Sequence, residues 1–131
     1  MKLVFVDTNY FVRLIENDVE DQMIEVKELF ELAVAGKVKL CSSVIVLFEI
    51  YWLLKSFYNK SGVELREILI KLIEMSYVEW QDREVLREAV GKMLKHRDDL
   101  EDVYNVCWAR KMKVKQLASF DQKLQKHWKK K

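Results

Sequence analysis

Short apolar runs alternate with longer amphipathic stretches along the chain. Residues 3–6, 38–41, 77–80 and 114–119 form brief, largely apolar runs bounded by polar residues, which is typical of strands. Between them, apolar residues recur every three or four positions, which predicts helices with one buried face. Strands that alternate with helices favour a parallel sheet covered on both sides and joined by right-handed crossovers. The pattern therefore predicts an α/β fold.

The first strand leads into a candidate site. Residues 3–6 are predicted to be a strand buried on both faces, followed by a sharp turn at residues 7–9 and a helix from Tyr10. Asp7 then lies at the carboxyl end of a strand, where open α/β proteins hold their ligands. Asp is also a good helix N-cap, and on this stretch alone the cap is the favoured interpretation.

The most apolar segment of the chain contains one carboxylate. Ser42 and Ser43 precede a helix predicted over residues 44–57, and Glu49 interrupts its apolar run. A carboxylate in such surroundings is costly to bury unless a cation or several donors compensate it. Alternatively, Glu49 faces solvent through a single polar gap in the apolar surface, with Lys55 nearby. We favour the interpretation that Glu49 belongs to a functional site.

Two further acidic segments lie near helix starts. Asp98 can cap a helix with Glu101 as its capping-box partner, which leaves Asp99 and Asp102 free on one face. Asp102 has the better claim to a site because it lies beside apolar neighbours. Asp121 follows the last predicted strand and is equally suited to cap a short terminal helix.

Composition narrows the class of protein. The chain has 131 residues, of which 50% are hydrophobic and 34% charged, with no Pro and three Gly. We expect one helix-rich domain over residues 1–131, with a disordered basic tail at residues 129–131. No signal peptide or membrane span is recognised, and the two isolated cysteines are typical of a reduced, cytoplasmic protein without a disulfide or zinc site. The net charge of +2 decides nothing about nucleic acids, because it can hide separate acidic and basic faces.

The acidic residues would need a cation if the fold brought them together. Converging carboxylates repel each other, and oxygen ligands without His or paired Cys favour Mg²⁺ or Mn²⁺ over zinc. Such an ion lowers the pKa of a bound water and screens phosphate charge, as phosphodiester hydrolysis requires. Asn9 and Ser119 are polar neighbours that could orient water or ligands.

Four motifs together resemble the PIN domain nucleases, and among them the compact VapC-type toxins. They are V-D-T-N at residues 6–9, S-x-x-x-x-x-E at 43–49, D-x-x-D-V at 99–103 and S-F-D at 119–121. They occur in this order across essentially the whole chain. The resemblance implies a three-layer α/β/α fold with a central parallel sheet of four to five short strands.

The resemblance also implies an activity, a metal-dependent ribonuclease that cuts single-stranded RNA by attack of an activated water on a phosphodiester. Asp7, Glu49 and Asp102 would form the main acidic cluster for one or two Mg²⁺ or Mn²⁺ ions. Asp121 would be a fourth ligand, direct or through water, and Asp99 a neighbouring acid. The hydrogen-bond network around them would use Thr8, Asn9, Ser43 and Ser119. Many relatives have Thr where this chain has Ser119, and the acid-rich segment leaves open whether Asp99 or Asp102 contacts the metal.

Partners follow from the same resemblance. A VapC-type toxin would act on RNA, form a homodimer and bind a cognate antitoxin. The aromatic residues Tyr51, Trp52, Phe57 and Tyr58 are where a dimer face is expected, although they could instead pack in the core or stack on bases. A housekeeping PIN nuclease in RNA maturation and a catalytically inactive binding module remain the alternatives. Scattered lysines could form a basic rim that steers RNA, although most such lysines are solvated surface.

Overall fold

The computed structural model describes residues 1–93 and 99–130. Along these residues the elements follow in the order β1 (Lys2–Phe5), α1 (Thr8–Glu16), α2 (Glu20–Val34), β2 (Val38–Ser42), α3 (Val44–Ser56), α4 (Gly62–Ile73), β3 (Val78–Trp80), α5 (Arg83–Lys92), α6 (Leu100–Lys111) and α7 (Gln122–Lys129). The predicted α/β class is confirmed. Among the described residues, no helix has the length and apolar character that crossing a membrane requires.

The strands form a parallel sheet in the order β1-β2-β3. Phe5 lies opposite Cys41, and Ser42 lies opposite Trp80. The buried hydroxyl of Ser42 donates a hydrogen bond of 2.7 Å to the carbonyl of Val6, whose own N–H donates to the carbonyl of Cys41 at 2.9 Å. These bonds fix the residue that precedes Asp7, so Asp7 leaves the sheet at its carboxyl edge.

The described residues form three strands, whereas four to five were predicted. Residues 114–119 are not a strand: they are mostly exposed and pair with no other strand. Local contacts hold them instead. The N–H of Val114 donates to the carbonyl of Ala109, and the Gln125 amide donates to the carbonyls of Leu117 and Ser119.

β1 lies at the edge of the sheet, and the prediction that both of its faces are buried is wrong. Leu3 and Phe5 are each 57% exposed, while Val6 is buried. Side chains alternate between the two faces of a strand. One face of β1 therefore packs on the core, and the face with Leu3 and Phe5 is left uncovered in the described part of the chain.

The core is centred on α3. Its buried residues Val46, Leu47, Ile50, Tyr51 and Leu54 recur at helical spacing and form one stripe. Burying each large apolar side chain contributes about 1.5–3 kcal/mol. Because this stripe turns toward the core, Glu49 lies on the other side of the helix.

Helix caps follow the sequence in part. Ser43 and Ser61 cap α3 and α4, accepting hydrogen bonds from the N–H groups of Val46 and Glu64. Asp82 stands at the cap position of α5 as predicted, but its side chain makes no capping bond and accepts one from the Tyr104 hydroxyl at 3.1 Å. Burial, followed by this hydrogen bond, raises the pKa of Tyr104 to about 12.

The capping box predicted between Asp98 and Glu101 involves a residue outside the described part of the chain. Asp99 holds the N-cap position of α6, and its side chain makes no capping bond. Leu94 and His96, together with Asp98, lie outside the described residues. Gly36, which ends the turn after α2, has a φ of +75°, a conformation that favours glycine.

Candidate active site

Asp7 combines the two roles that the sequence left open. It lies at the carboxyl edge of the sheet, and its Oδ1 accepts a hydrogen bond of 2.7 Å from the N–H of Thr8 as the N-cap of α1. The rest of the side chain is exposed to solvent. Capping therefore leaves carboxylate oxygen free to take another ligand.

Glu49 is joined to this corner through Thr8. The Thr8 hydroxyl, which is 5% exposed, donates a hydrogen bond of 3.2 Å to Oε2 of Glu49. Glu49 is exposed, so the cost of burying its carboxylate does not arise. Its partner is the Thr8 hydroxyl rather than Lys55. Thr8, the first residue of α1, thus links Asp7, which follows β1, to Glu49 of α3. These three residues are called the β1 corner below.

A second group of carboxylates lies where the starts of α6 and α7 meet. Asp99 is held by two ammonium groups, Lys55 of α3 at 3.5 Å from its Oδ1 and Lys123 of α7 at 3.4 Å from its Oδ2. Burial alone would lower the pKa of Lys55, but the Tyr51 hydroxyl and the charge of Asp99 outweigh it, and the pKa is raised. Both oxygens of Asp99 are therefore already paired.

Asp102 lies one turn further along α6 and has no ion pair within the described residues. Its pKa is raised, first by burial and then by the negative charges of Asp121 and Asp99. Lys123 and His127 oppose this shift without cancelling it. The part of this shift that comes from Asp121 and Asp99 reflects repulsion between neighbouring carboxylates. Asp99, Asp102 and Asp121 are called the α6–α7 group below.

Glu101 is a partly buried acid that sequence reasoning assigned only to a capping box. Its Oε1 is buried and has no hydrogen-bond partner among the described residues. Burial, followed by the charge of Asp99, raises its pKa, and Trp52 opposes the shift. Its place beside Trp52 of α3 depends on tertiary packing, which helical spacing does not reveal.

The remaining predicted residues mostly serve local structure. Asp121 caps α7, accepting hydrogen bonds from the N–H groups of Lys123 and Leu124 at 2.9 and 3.1 Å. The Ser119 hydroxyl accepts from the N–H of Asp121 at 3.0 Å and so fixes this turn, while Ser43 caps α3. Asn9 is exposed at the end of a groove of about 580 Å³ that runs along β1 and α2.

A family model of the PIN domain matches residues 4–130. The chain belongs to the PIN domain family. PIN domains are a family of metal-dependent nucleases, which accords with the carboxylates that follow β1, lie on α3 and lie at the start of α6. No curated protein and no solved structure matches the chain significantly.

The oxygen atoms of the candidate site in this PIN domain are chemically suited to bind a divalent cation. The β1 corner and the α6–α7 group offer carboxylate and hydroxyl oxygens, the ligands that Mg²⁺ and Mn²⁺ prefer. Across residues 1–93 and 99–130, no three acidic, His or Cys side chains converge closely enough to ligate one ion. A metal centre built from these acids therefore requires their side chains to come closer together.

Proposed function

We propose that this PIN domain is a ribonuclease that hydrolyses RNA phosphodiester bonds with Mg²⁺ or Mn²⁺, and that it is the toxin of a VapBC-type toxin–antitoxin pair. The observation that carries the proposal is Asp102. It is a partly buried carboxylate beside Asp99 and Asp121, and it forms no ion pair with any residue that the structure describes. Such an arrangement costs stability, and groups of this kind are concentrated at functional sites.

Asp7, Glu49, Asp102 and Asp121 would hold one or two divalent ions. When bound, an ion supplies an acidified water and screens the charge of the phosphate. Asp99 is the weaker candidate, because Lys55 and Lys123 already pair with both of its oxygens. This supports Asp102 as the ligand that α6 contributes.

Other residues of the site orient these ligands. The Thr8 hydroxyl restrains Glu49, and Ser42 anchors the end of β1 that carries Asp7. Partners of this kind, one step removed from the ligands, commonly contribute 10- to 100-fold to metal affinity or activity. Lys55 and Lys123 offset part of the negative charge that would repel an RNA phosphate.

We also propose that residues 114–119 complete the sheet as a fourth strand along the outer edge of β1. The N–H of Val6 points toward β2, so the N–H groups of Leu3 and Phe5 point away from it and are available for pairing. A parallel strand there would end next to Asp7 and would bring Asp121 to the same edge. The exposure of Leu3, Phe5 and residues 114–119 supports this arrangement.

The nuclease is tested with purified protein and a long, mostly single-stranded RNA, in Mg²⁺ or Mn²⁺ and in excess chelator. We expect cleavage that needs the metal and that falls at least about 100-fold in the Asp7→Asn variant. Asn is as good an N-cap as Asp, so α1 should be retained in this variant. Asp21→Asn, an exposed acid in the first turn of α2, is the matched control and should cleave at the wild-type rate.

Cleavage that survives both chelation and Asp7→Asn would contradict the metal role of Asp7. The toxin role adds a growth measurement: induced expression should halt growth with the wild-type chain and not with Asp7→Asn. Metal-dependent cleavage without growth arrest would instead favour a nuclease of RNA maturation. A folded wild-type chain that binds RNA without cleaving it would favour an inactive binding module.

We propose further that the chain forms a homodimer through the outer face of α3 and binds an antitoxin. Trp52 is 43% exposed, Leu53 39% and Phe57 71%, which gives α3 an apolar outer surface. Sedimentation should show a dimer for the wild type and a monomer for a Leu53→Lys, Phe57→Lys double variant. A wild-type monomer, or a variant that stays dimeric, would contradict this interface. A helix or strand with a basic side chain is the expected form of the antitoxin contact.

A further inference from the structure

The charges of this chain are separated along its length. Residues 110–131 contain nine Lys or Arg and one acidic residue, a formal charge of +8. Residues 1–109 contain 14 Lys or Arg and 20 acidic residues, a formal charge of −6. The small net charge therefore hides a basic C-terminal part joined to an acidic body. The acidic body repels a polyanion, so a nucleic acid that reaches the carboxylates needs a cationic path to them.

The basic side chains of this part are displayed to solvent. None of the described residues 110–130 is buried, and Lys111, Lys113, Lys115, Lys126, Lys129 and Lys130 are all exposed. Within the described residues these six lysines form no ion pair with a carboxylate. Their charges are thus not neutralised inside the protein.

The basic part adjoins the candidate site directly. Lys123 pairs with Asp99 at 3.4 Å, and Lys123 and His127 both act on the pKa of Asp102. Lys123, Lys126 and Lys130 are spaced i, i+3, i+7 and share one side of α7 and its end. A polyanion lying on this side would therefore lead to the α6–α7 group.

An exposed aromatic side chain lies within the basic part. Phe120 is 106% exposed, the most exposed large apolar residue of the described chain, and it immediately precedes Asp121. A fully exposed ring in a lysine-rich segment is the kind of surface on which the bases of single-stranded nucleic acids stack.

We propose that the exposed lysines of residues 111–130 and Phe120 form an RNA-binding track that delivers a single strand to the carboxylates. The proposal rests on the ribonuclease function and assigns the surface that holds the substrate. Phosphates lie along Lys115, Lys126 and Lys130, and a base next to the scissile bond stacks on Phe120.

A membrane surface fits this region less well than RNA. The apolar residues of α7, Leu124 and Trp128, are half-buried, and the Arg110 guanidinium lies 5.7 Å from the Trp128 ring centre. Arg110 also donates to the carbonyl of Trp128, which ties α7 to α6. α7 therefore has no free apolar face to insert into a bilayer.

The track is tested by equilibrium binding of a fluorescent single-stranded RNA to the full-length chain with Asp7→Asn as background, over a series of salt concentrations. Adding Lys115→Gln, Lys126→Gln and Lys130→Gln should weaken binding at least about tenfold and lower the salt slope by about 2, since each phosphate contact contributes about 0.7. Phe120→Ala should weaken it about tenfold with the slope unchanged.

The matched control variants remove three lysine charges, or one exposed apolar side chain, from surfaces outside the track. Lys27→Gln, Lys37→Gln and Lys71→Gln change exposed lysines of the acidic body, and Ile24→Ala changes a side chain that is 70% exposed. Both controls should bind like the background. Equal losses in the control and track variants would overturn the proposal, as would binding to anionic phospholipid vesicles that falls while RNA binding does not.

Failure of this proposal is distinguishable from failure of the ribonuclease function. If metal-dependent cleavage is observed but RNA affinity is insensitive to the track variants, the track alone is wrong. If no cleavage occurs but the track variants lose RNA binding, the track stands and the catalytic assignment is wrong.

Discussion

Replacing Asp102 by Asn is expected to lower RNA cleavage at least about 100-fold and, at neutral pH, to raise the free energy of unfolding. The first effect follows from losing a charged metal ligand. The second follows from the pKa of Asp102, which folding raises above its ordinary value of 3.8, mainly through burial and then through Asp121 and Asp99. Ionised Asp102 therefore weakens the folded state, and the uncharged amide removes that cost.

The stabilising effect of Asp102→Asn should depend on pH, and the raised pKa determines in which pH range it is present. A carboxyl group whose pKa is raised on folding costs no stability while it is protonated in both states. The cost begins as pH rises above the unfolded pKa and is complete above the folded pKa. The gain from Asp102→Asn should be present at pH 7, on the order of 0.5–2 kcal/mol, and should disappear below about pH 3.8. Urea unfolding at both pH values measures it.

Asp21→Asn is again the control, because the exposed Asp21 lies in the first turn of α2, where the helix dipole favours a negative charge. It should be neutral or slightly destabilising, with unchanged cleavage. An Asp102→Asn variant that cleaves like the wild type, or that is less stable at pH 7, would remove Asp102 from the site.

The fold class could be predicted because the apolar pattern is local and strong. β2, β3 and one face of α3 bury apolar residues, and the predictions over residues 38–41, 77–80 and 44–57 match these elements within about two residues. β1 shows the limit of this reasoning. An apolar run indicates a strand, but whether a neighbour covers its second face depends on tertiary structure, and here Leu3 and Phe5 are exposed.

The strand predicted over residues 114–119 was wrong for a related reason. Their strand propensity is modest, and a strand is stable only if a partner supplies hydrogen bonds and a packed face. The local bonds to Ala109 and from Gln125 compete for the same backbone groups. Sequence alone does not rank these local bonds against pairing with β1.

The sequence predicted which acidic residues belong to the candidate site, but not the hydrogen bonds and ion pairs that they form. Asp7 was expected at the carboxyl edge of the sheet and lies there, because a parallel strand followed by a helix fixes that position. The hydrogen bond from Thr8 to Glu49 and the ion pairs of Asp99 with Lys55 and Lys123 depend on how α3 and α7 pack. The sequence alone does not show this packing. Glu101 was missed because its capping-box interpretation was sufficient on sequence grounds.

Asp121 allows its structural and chemical roles to be separated by two substitutions. Asp121→Asn should keep α7, since an Asn side chain also accepts the hydrogen bonds that Lys123 and Leu124 donate. Cleavage should nevertheless fall about 10- to 100-fold, because the negative charge is lost. The pKa of Asp102 should also fall toward 3.8, because Asp121 is one of the charges that raise it, and an NMR titration of the Asp102 carboxyl carbon measures this.

Asp121→Ala removes the cap as well as the charge. It should reduce cleavage like Asp121→Asn and, in addition, weaken α7 by about 1 kcal/mol, seen as faster amide exchange in residues 122–129. Global unfolding should change little, because α7 has no buried residues. If Asp121 were only a cap, Asn would keep full cleavage and only Ala would lose it. Equal losses in both variants, with α7 weakened only by Ala, would leave the carboxylate charge as the property that the reaction needs.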